Sequence, residues 1–307
     1  MKSADGGILL VDKSEGETSH DVVQKVRRVL GIRKVGHAGT LDPFATGLLV
    51  VLVGQSTKLS PFVTAETKVY EAVVHLGVET DTYDKTGKIV RERGLSEIKR
   101  GDVEKVLTKF TGEIEQIPPP FSALKIKGKR AYEMARKGEE VKLSPRKVVI
   151  YDLTVEEFEP PLLSITLRCS SGTYVRSLAS DVGDALGCGA HLNLLRRTQV
   201  GAFRVEEAIS SSLLKGIGSN DLKARLINPV KALPHMMNVE VNDHLARRIR
   251  KGYCPKITEL MLQSGSFDEM GSLIKLVCDG QLVAIASVRR SAPEKCTKLL
   301  SLKRVFL

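Results

Sequence analysis

Short apolar runs, separated by polar and glycine-rich turns, set the pattern of the chain. The stretch "GILLVDK" (Gly7 to Lys13) predicts a first strand. In the following "ETSHDVVQKVRRVLG", Val22, Val23, Val26, Val29 and Leu30 fall on one face at helical spacing. Thr18 and Asp21 have the spacing of a capping box, and Gly31 supplies a stop. Lys25, Arg27, Arg28, Arg33 and Lys34 lie outside the apolar stripe. Further strands are predicted over Leu48 to Val53, in "KVYEAVVHLG", and at Lys88 to Arg91 after the polar turn "ETDTYDKTG".

The pattern from Ser96 to Phe110 predicts a helix, and "IPPPF" then breaks the chain. "KRAYEMARKG" reads as a short helix closed by Gly138. "VVIYDLTVEEF" and "LLSITLRCS" read as strands, the second with Leu163, Ile165, Leu167 and Cys169 on one side. "YVRSLASDVGDALG" is another helix. Strands and helices mix without strict alternation, which predicts an α+β fold with a mixed, mostly antiparallel sheet and flanking helices. The pattern changes around Pro229 to Pro234. After a basic helix, "DHLARRIRKG", the chain continues in short strands, with Asp279-Gly280 as a hairpin signal. These features predict two units, 1–235 and a smaller β-rich, partly closed barrel over 236–307.

Composition narrows the functional classes. The chain has 307 residues, and no apolar run is long enough to span a bilayer. With no export signal visible either, the expected address is cytoplasmic. The five cysteines are scattered without a C-x-x-C pair, and the six histidines lack metal-site spacing. Reduced, mostly buried thiols and no zinc are the expectation. No phosphate-binding or dinucleotide motif occurs, so no cofactor is expected.

The net charge of +11 is localised. Met1 to Leu124 and Val148 to Met237 each balance acids against bases. Lys125 to Lys147 carries 9 basic and 3 acidic residues, and Asn238 to Leu307 carries 12 and 7. Two basic segments in a chain of pI near 9.4 form the electrostatic footprint of a polyanion binder. Tryptophan is absent and aromatics make up 5% of the chain, which disfavours broad single-strand stacking.

Two stretches carry candidate chemistry. In "GHAGTLDPFATG", Pro43 holds Asp42 out of the helical region, and glycines permit tight turns on both sides. A carboxylate placed there can be a nucleophile, a general base or a turn residue. In "SSGTYVRSL", Arg176 lies in the first turn of its helix, where the macrodipole disfavours a cation. It makes sense there if it answers a negative partner, and an arginine-paired carboxylate is expected to have a lowered pKa. Spacing alone does not pair Arg176 with Asp42.

The blocks "GHAGTLDPFATGLL", "KVYEAVVHLGVETDTYDKTG", "IPPPFSALKIKGKRAYEMARKG" and "SSGTYVRSLASDVGDALGCGAHLNLLRRTQVGAF" together resemble the bacterial TruB-type tRNA pseudouridine synthases, from about Gly6 to Phe203. The tail is similar to that family's PUA domain. The resemblance implies a pseudouridine synthase fold over 1–235, with a basic thumb insertion at about 122–147 that closes over the tRNA. It also implies a PUA-like RNA-binding domain over 236–307. The implied reaction isomerises uridine 55 in the T loop of tRNA, with the target base swung out of its stack. The implied partner is the tRNA T stem-loop; no cofactor, metal or protein partner is required, and a monomer is expected.

By the same resemblance Asp42 matches the catalytic aspartate and Arg176 its partner. Tyr70 matches the tyrosine over the uracil ring, and His37 the histidine that holds the extruded nucleotide. Tyr174 and Leu195 match pocket-lining positions, and Lys127, Lys129 and Arg130 belong to the thumb. Two positions depart from the family pattern. Ser14 follows Lys13 where proline is usual, so no role is carried to Lys13, and Ala38 stands where glycine is frequent.

Three other readings compete. A guide-RNA-dependent synthase shares the aspartate motif, but the thumb-like insertion argues against it. An RNA chaperone would bind without needing Asp42. A hydrolase would use Asp42 with a metal on Asp81 and Asp84, but those two lack an EF-hand spacing.

Overall fold

A computed structural model of the chain describes residues 6–95, 98–122, 124–126, 128–135, 137, 139, 141, 143–260, 272–290 and 298–307. Among them, a ten-stranded mixed sheet forms the larger unit. Its main path runs Ile209–Ser210, Gly6–Lys13, Thr46–Gly54, Ala190–Val200, Lys68–Leu76, Leu162–Cys169, Arg146–Glu159 and Gly112–Gln116. Two contacts on this path are parallel, Gly6–Lys13 with Ile209–Ser210 and Thr46–Gly54 with Ala190–Val200. The rest are antiparallel, as the α+β expectation requires.

The two faces of this sheet bury different elements. Leu9, Val11, Leu49, Val51 and Val53 meet the helix Ser19–Leu30 through Val22, Val23, Val26 and Leu30. That helix starts at the expected capping box, with the Asp21 amide donating to Thr18 Oγ1 and the Thr18 amide to Asp21 Oδ2. It ends at Gly31 in the left-handed region. The alternate residues Ile8, Leu10, Leu48, Val50 and Leu52 pack on the opposite face against Leu59 and Val63. Farther along the sheet, Tyr70, Ala72, Val74 and Leu76 join Leu163, Ile165 and Leu167. Together they bury the apolar side of the helix Val175–Ala185.

The C-terminal residues form a separate four-stranded sheet in the order Met237–Glu240, Leu273–Cys278, Gln281–Arg290 and Lys298–Val305. Asp279 and Gly280 both have positive φ, as the expected two-residue hairpin demands. A closed barrel is not seen among the described residues. This sheet has its own core around Leu245, Ile249, Leu276 and Val283. Leu282, Ile285 and Phe306 instead enter the same cluster as Ile8 and Leu52, so the two units share an apolar contact.

Three elements differ from the pattern-based expectation. The helix expected over 96–110 runs from Arg100 to Thr108, because Asp102 accepts the Lys99 amide and fixes the start there; Ser96 and Glu97 lie outside the described residues. The short helix of the basic segment spans Ala131–Ala135, preceded by a small hairpin of Lys125–Ile126 with Lys129–Arg130. Gly138, its expected stop, lies outside the described residues. The long strand Ala190–Val200 in the middle of the sheet was not anticipated. Asn193, Arg196, Arg197, Thr198 and Gln199 disguise it, and Arg197 is buried although charged.

Candidate active site

Asp42 stands at the end of a loop fixed at nearly every residue by groups outside it. The Ala38 amide donates to Val50 O at 2.9 Å. Arg197, with 1% of its surface exposed, donates from Nη2 to Gly39 O and from Nε to Leu48 O. Ser19 Oγ donates to Leu41 O and accepts the Leu41 amide. Pro43 O accepts from the Gly16 amide and from Lys13 Nζ. The Ala45 amide then closes a turn onto Asp42 O at 3.1 Å. These anchors leave the carboxylate little freedom, which is the preorganisation a reacting group needs.

Lys13 thereby gains a structural place that the sequence did not give it. Fully buried, it donates to the carbonyls of Ser14, Glu17 and Pro43, and burial lowers its pKa to about 8. Ser14 donates its amide to Ser211 Oγ at 3.0 Å, a bond that a proline at this position could not make.

Beyond the loop, Gly47 lets the strand Thr46–Gly54 lie against Arg197. It has φ of 97°, and a Cβ there would stand 2.3 Å from Arg197 O. Register also places Arg197 opposite Tyr70 on the next strand.

Arg176 lies second in its helix and 5% exposed. Its Nε meets Asp42 Oδ2 at 2.9 Å, and its Nη2 meets Asp42 Oδ1 at 3.3 Å, a two-point contact. Nη1 donates to Asp84 Oδ2 at 3.3 Å and to Thr82 O, while Nη2 also reaches Phe121 O. A cation at a helix N-terminus is thus answered by two carboxylates and two carbonyls. Asp84, buried to 3%, is itself held by Thr82 Oγ1, Thr86 Oγ1 and the Thr86 amide. Tyr83 beside it has φ of 61°, a strained conformation for a bulky residue. In the competing hydrolase reading, Asp84 binds a metal together with Asp81. The described residues contain no group of three or more His, Cys, Asp or Glu that could hold a metal. Asp84 faces Arg176.

The pocket at this pair has a volume of about 300 Å³ and is lined by Asp42, Tyr70, Tyr174, Arg176, Leu195 and Arg197, among others. Lys68 also lines it, a residue the sequence reading missed because it begins a strand of ordinary alternation. Its ammonium donates to Thr64 O and Glu66 O, and burial, with the charge of Arg197 adding to it, lowers its pKa to about 8. Tyr174 caps the helix of Arg176, its amide bonded to Gln116 Oε1 at 2.7 Å and its carbonyl to Gln116 Nε2. His37 does not line the pocket. It sits on the neighbouring strand Val35–His37 with a buried Nδ1 that has no partner. Lys127 lies outside the described residues, and only the backbone of Lys129 and Arg130 is described.

The charge balance corrects one expectation. Arg176 does pull the Asp42 carboxyl toward ionisation, but withdrawal from water is the larger effect and raises its pKa above the ordinary range, with Asp84 adding to the rise. About a third of the side chain, 35%, still faces solvent, which tempers the rise while the pocket is open. Burial likewise raises Tyr70, against a lowering contribution from Arg197.

Comparison with known proteins decides what this site belongs to. Residues 27–175 match the model of the TruB family pseudouridylate synthase N-terminal domain, and residues 176–233 match the tRNA pseudouridylate synthase B C-terminal domain. The chain belongs to the TruB family. It is 42% identical over 301 residues to the tRNA pseudouridine synthase B of Geobacter sulfurreducens, covering 98% of this chain and 99% of that one. It is 46% identical over 254 residues to the same enzyme of Symbiobacterium thermophilum, covering 82% and 83%. Among solved structures, the crystal structure of a Cbf5-Nop10-Gar1 complex matches with a TM-score of 0.74 at 26% identity, covering 99% of this chain and 85% of that one. As a TruB-family member the protein is a tRNA pseudouridine synthase, an isomerase. Among the described residues, no helix is long and apolar enough to cross a membrane.

Proposed function

We propose that the enzyme converts uridine 55 in the T loop of tRNA to pseudouridine, with Asp42 as the catalytic carboxylate. The observation that carries this reading is the Asp42–Arg176 pair, which opens into a pocket walled by Tyr70, Tyr174 and Leu195. Isomerisation breaks the N1–C1′ bond, joins C1′ to C5, removes the proton from C5 and leaves one on N1. An ionised carboxylate is needed at the first step, as nucleophile or as base. Arg176 holds that charge in place and gives it two-point orientation. Tyr70 offers a flat face for the uracil and an oxygen to take the C5 proton.

The pocket admits one nucleotide, so the base must leave its stack, at a cost of a few kcal/mol that contacts to Tyr70 and Leu195 offset. We assign His37 to the flank of the site, at the end of the strand Val35–His37 that leads into the Asp42 loop. The basic segment 122–147 serves as a closing thumb. Its base is tied to the site, since Ser177 Oγ donates to Ile117 O at 2.7 Å and Arg176 reaches Phe121 O. The units 1–235 and 236–307 divide catalysis from additional RNA contact. The chain works as a cytoplasmic monomer, without the partner proteins named with its structural relatives.

The test is release of tritium from C5-labelled uridine in unmodified tRNA by the purified chain. Release abolished in Asp42→Asn supports the assignment. Full activity in that variant overturns it, and a purified chain that is inactive without added proteins overturns the stand-alone reading.

A further inference from the structure

Among the described residues, Arg197 is the largest fully buried side chain, and it differs from its neighbours in what holds it. Arg176 and Arg196 each meet an aspartate. Arg197 meets carbonyls: Nε donates to Leu48 O at 2.8 Å, Nη2 to Gly39 O at 3.0 Å and Nη1 to Thr40 O at 3.5 Å. No carboxylate among the described residues forms an ion pair with it. Neutral donors could serve those carbonyls at a lower desolvation cost, so anchoring the loop does not by itself account for a buried charge.

The surroundings show what the charge faces. Register sets Arg197 opposite Tyr70 on the adjacent strand, with a bulge directly after it, and its guanidinium interacts with the Tyr70 hydroxyl. Lys13, Lys68 and His37 are close enough for the charge of Arg197 to depress each of them, so that side gathers cations and no anion. Asp42 and Cys169 act on Tyr70 in the opposite sense, although burial pushes the Cys169 thiol up to about 11 and keeps it neutral. A fixed positive charge, with an ionisable hydroxyl before it and no resident carboxylate, is arranged for a negative charge that appears only during reaction.

We propose that Arg197 is a positioning residue for proton removal from C5, acting through Tyr70 by stabilising the phenolate that takes the proton. The inference rests on Tyr70 as the proton acceptor proposed above. Arg197 is 1% exposed and does not itself meet the nucleotide. In the step, Tyr70 yields its hydroxyl proton to water. The C5–H bond then breaks, its electron pair restores the C5–C6 double bond, and the proton passes to the Tyr70 oxygen. N1 takes a proton from water, so none is gained or lost overall. Because the same guanidinium holds Gly39 O and Thr40 O, it also fixes Tyr70 relative to the loop of Asp42.

Single-turnover rates on tRNA carrying protium or deuterium at C5 of the target uridine, measured from pH 7 to pH 9, test this. Arg197→Gln keeps amide donors for the carbonyls and removes the charge, whereas Arg197→Lys keeps the charge without the fork. The expected losses at pH 7 are about 100-fold for Arg197→Gln and about tenfold for Arg197→Lys. Both deficits should narrow as pH rises, and both variants should show a larger deuterium effect than wild type. Difluorotyrosine in place of Tyr70, a more acidic phenol, is expected to restore part of the Arg197→Lys rate, which it could not do for a defect of packing. Deficits equal at every pH, with an unchanged deuterium effect, would make Arg197 a loop anchor only and overturn the proposal, as would a wild-type rate in Arg197→Gln. Should Arg197→Gln fail to fold, the same two readouts on Arg197→Lys decide. A wild-type rate in Tyr70→Phe overturns the proton-acceptor reading and this inference with it. A slow Tyr70→Phe beside an unchanged deuterium effect in the Arg197 variants overturns this inference alone.

Discussion

Asp42 and Asp84 approach one guanidinium from two sides, Arg176 giving Nε to the first at 2.9 Å and Nη1 to the second at 3.3 Å. The two carboxylates differ in surroundings. Asp42 keeps a third of its side chain open to the pocket, whereas Asp84 is sealed among threonines. Asp84 therefore reaches the pocket only through Arg176. Asp84→Asn keeps the shape of the turn but removes the charge that fixes the far end of the guanidinium. The expected outcome is a fall in single-turnover rate of about 100-fold, from a displacement on the order of 1 Å at the carboxylate. Affinity for tRNA is expected to stay within about twofold, measured by filter binding. A rate unchanged from wild type would show that Asp42 orients Arg176 unaided.

The acidic limb of the rate profile should report Asp42. Burial raises its pKa, and the proposed mechanism uses the ionised form, so activity is expected to fall as pH drops through a value above the ordinary carboxylate range. The neighbours shift that limb with defined sign. Asp84's charge raises Asp42, so Asp84→Asn moves the limb to lower pH, even as the rate at the plateau falls. Lys13's charge lowers Asp42, so Lys13→Met moves it to higher pH. Single-turnover rates between pH 4 and 8 would check both directions, and a limb fixed in all three proteins would remove Asp42 as the titrating group.

Much of this arrangement was legible in the order of residues. The capping box at Thr18 and Asp21, the stop at Gly31 and the hairpin at Asp279-Gly280 are local physics, and they form where local rules put them. The faces of Leu162–Cys169 and Ser19–Leu30 follow from periodicity for the same reason. What escaped depends on partners far along the chain. Arg197 sits 149 positions from Leu48, whose carbonyl makes its burial tolerable, and a polar run around a buried arginine does not look like a central strand. Asp84 looks like any turn aspartate until Arg176, 92 positions later, packs against it. Lys68 is likewise read as a strand residue until the carbonyls of Thr64 and Glu66 draw its ammonium in beside the pocket. The net rise of Asp42's pKa could not be anticipated either, because desolvation depends on the assembled pocket and not on the arginine alone.

Gly47 offers a direct test of how tightly the loop and sheet are joined. A methyl group at this position meets both a positive φ and the Arg197 backbone, with oxygen at 2.3 Å and nitrogen at 2.7 Å. Gly31 also has positive φ, but a Cβ there meets nothing within 4 Å. Gly31→Ala is therefore expected to cost about 1 kcal/mol from backbone strain alone. Gly47→Ala adds overpacking against backbone that cannot rotate away, for a total of about 3 kcal/mol or more. Urea denaturation of the two variants measures the difference. Equal losses would mean that the two strands part without cost at Arg197.

The basic segment should act through phosphates, not bases. Lys127, Lys129 and Arg130 fall in a stretch of 9 basic and 3 acidic residues that joins the site through the anchors at Ile117 and Phe121. Each phosphate contact releases counterion, so affinity falls with salt at a slope of about 0.7 to 0.9 per contact. Replacing all three with glutamine is expected to weaken tRNA binding at low salt and to reduce the logarithmic slope by about 2 to 3. Since such contacts carry no sequence information, the loss should be the same for the T stem-loop and for a stem-loop with an altered loop sequence. Binding isotherms at several salt concentrations would check this. A slope identical to wild type would mean that the segment closes without touching the RNA backbone, and a loss confined to one loop sequence would mean that it reads bases.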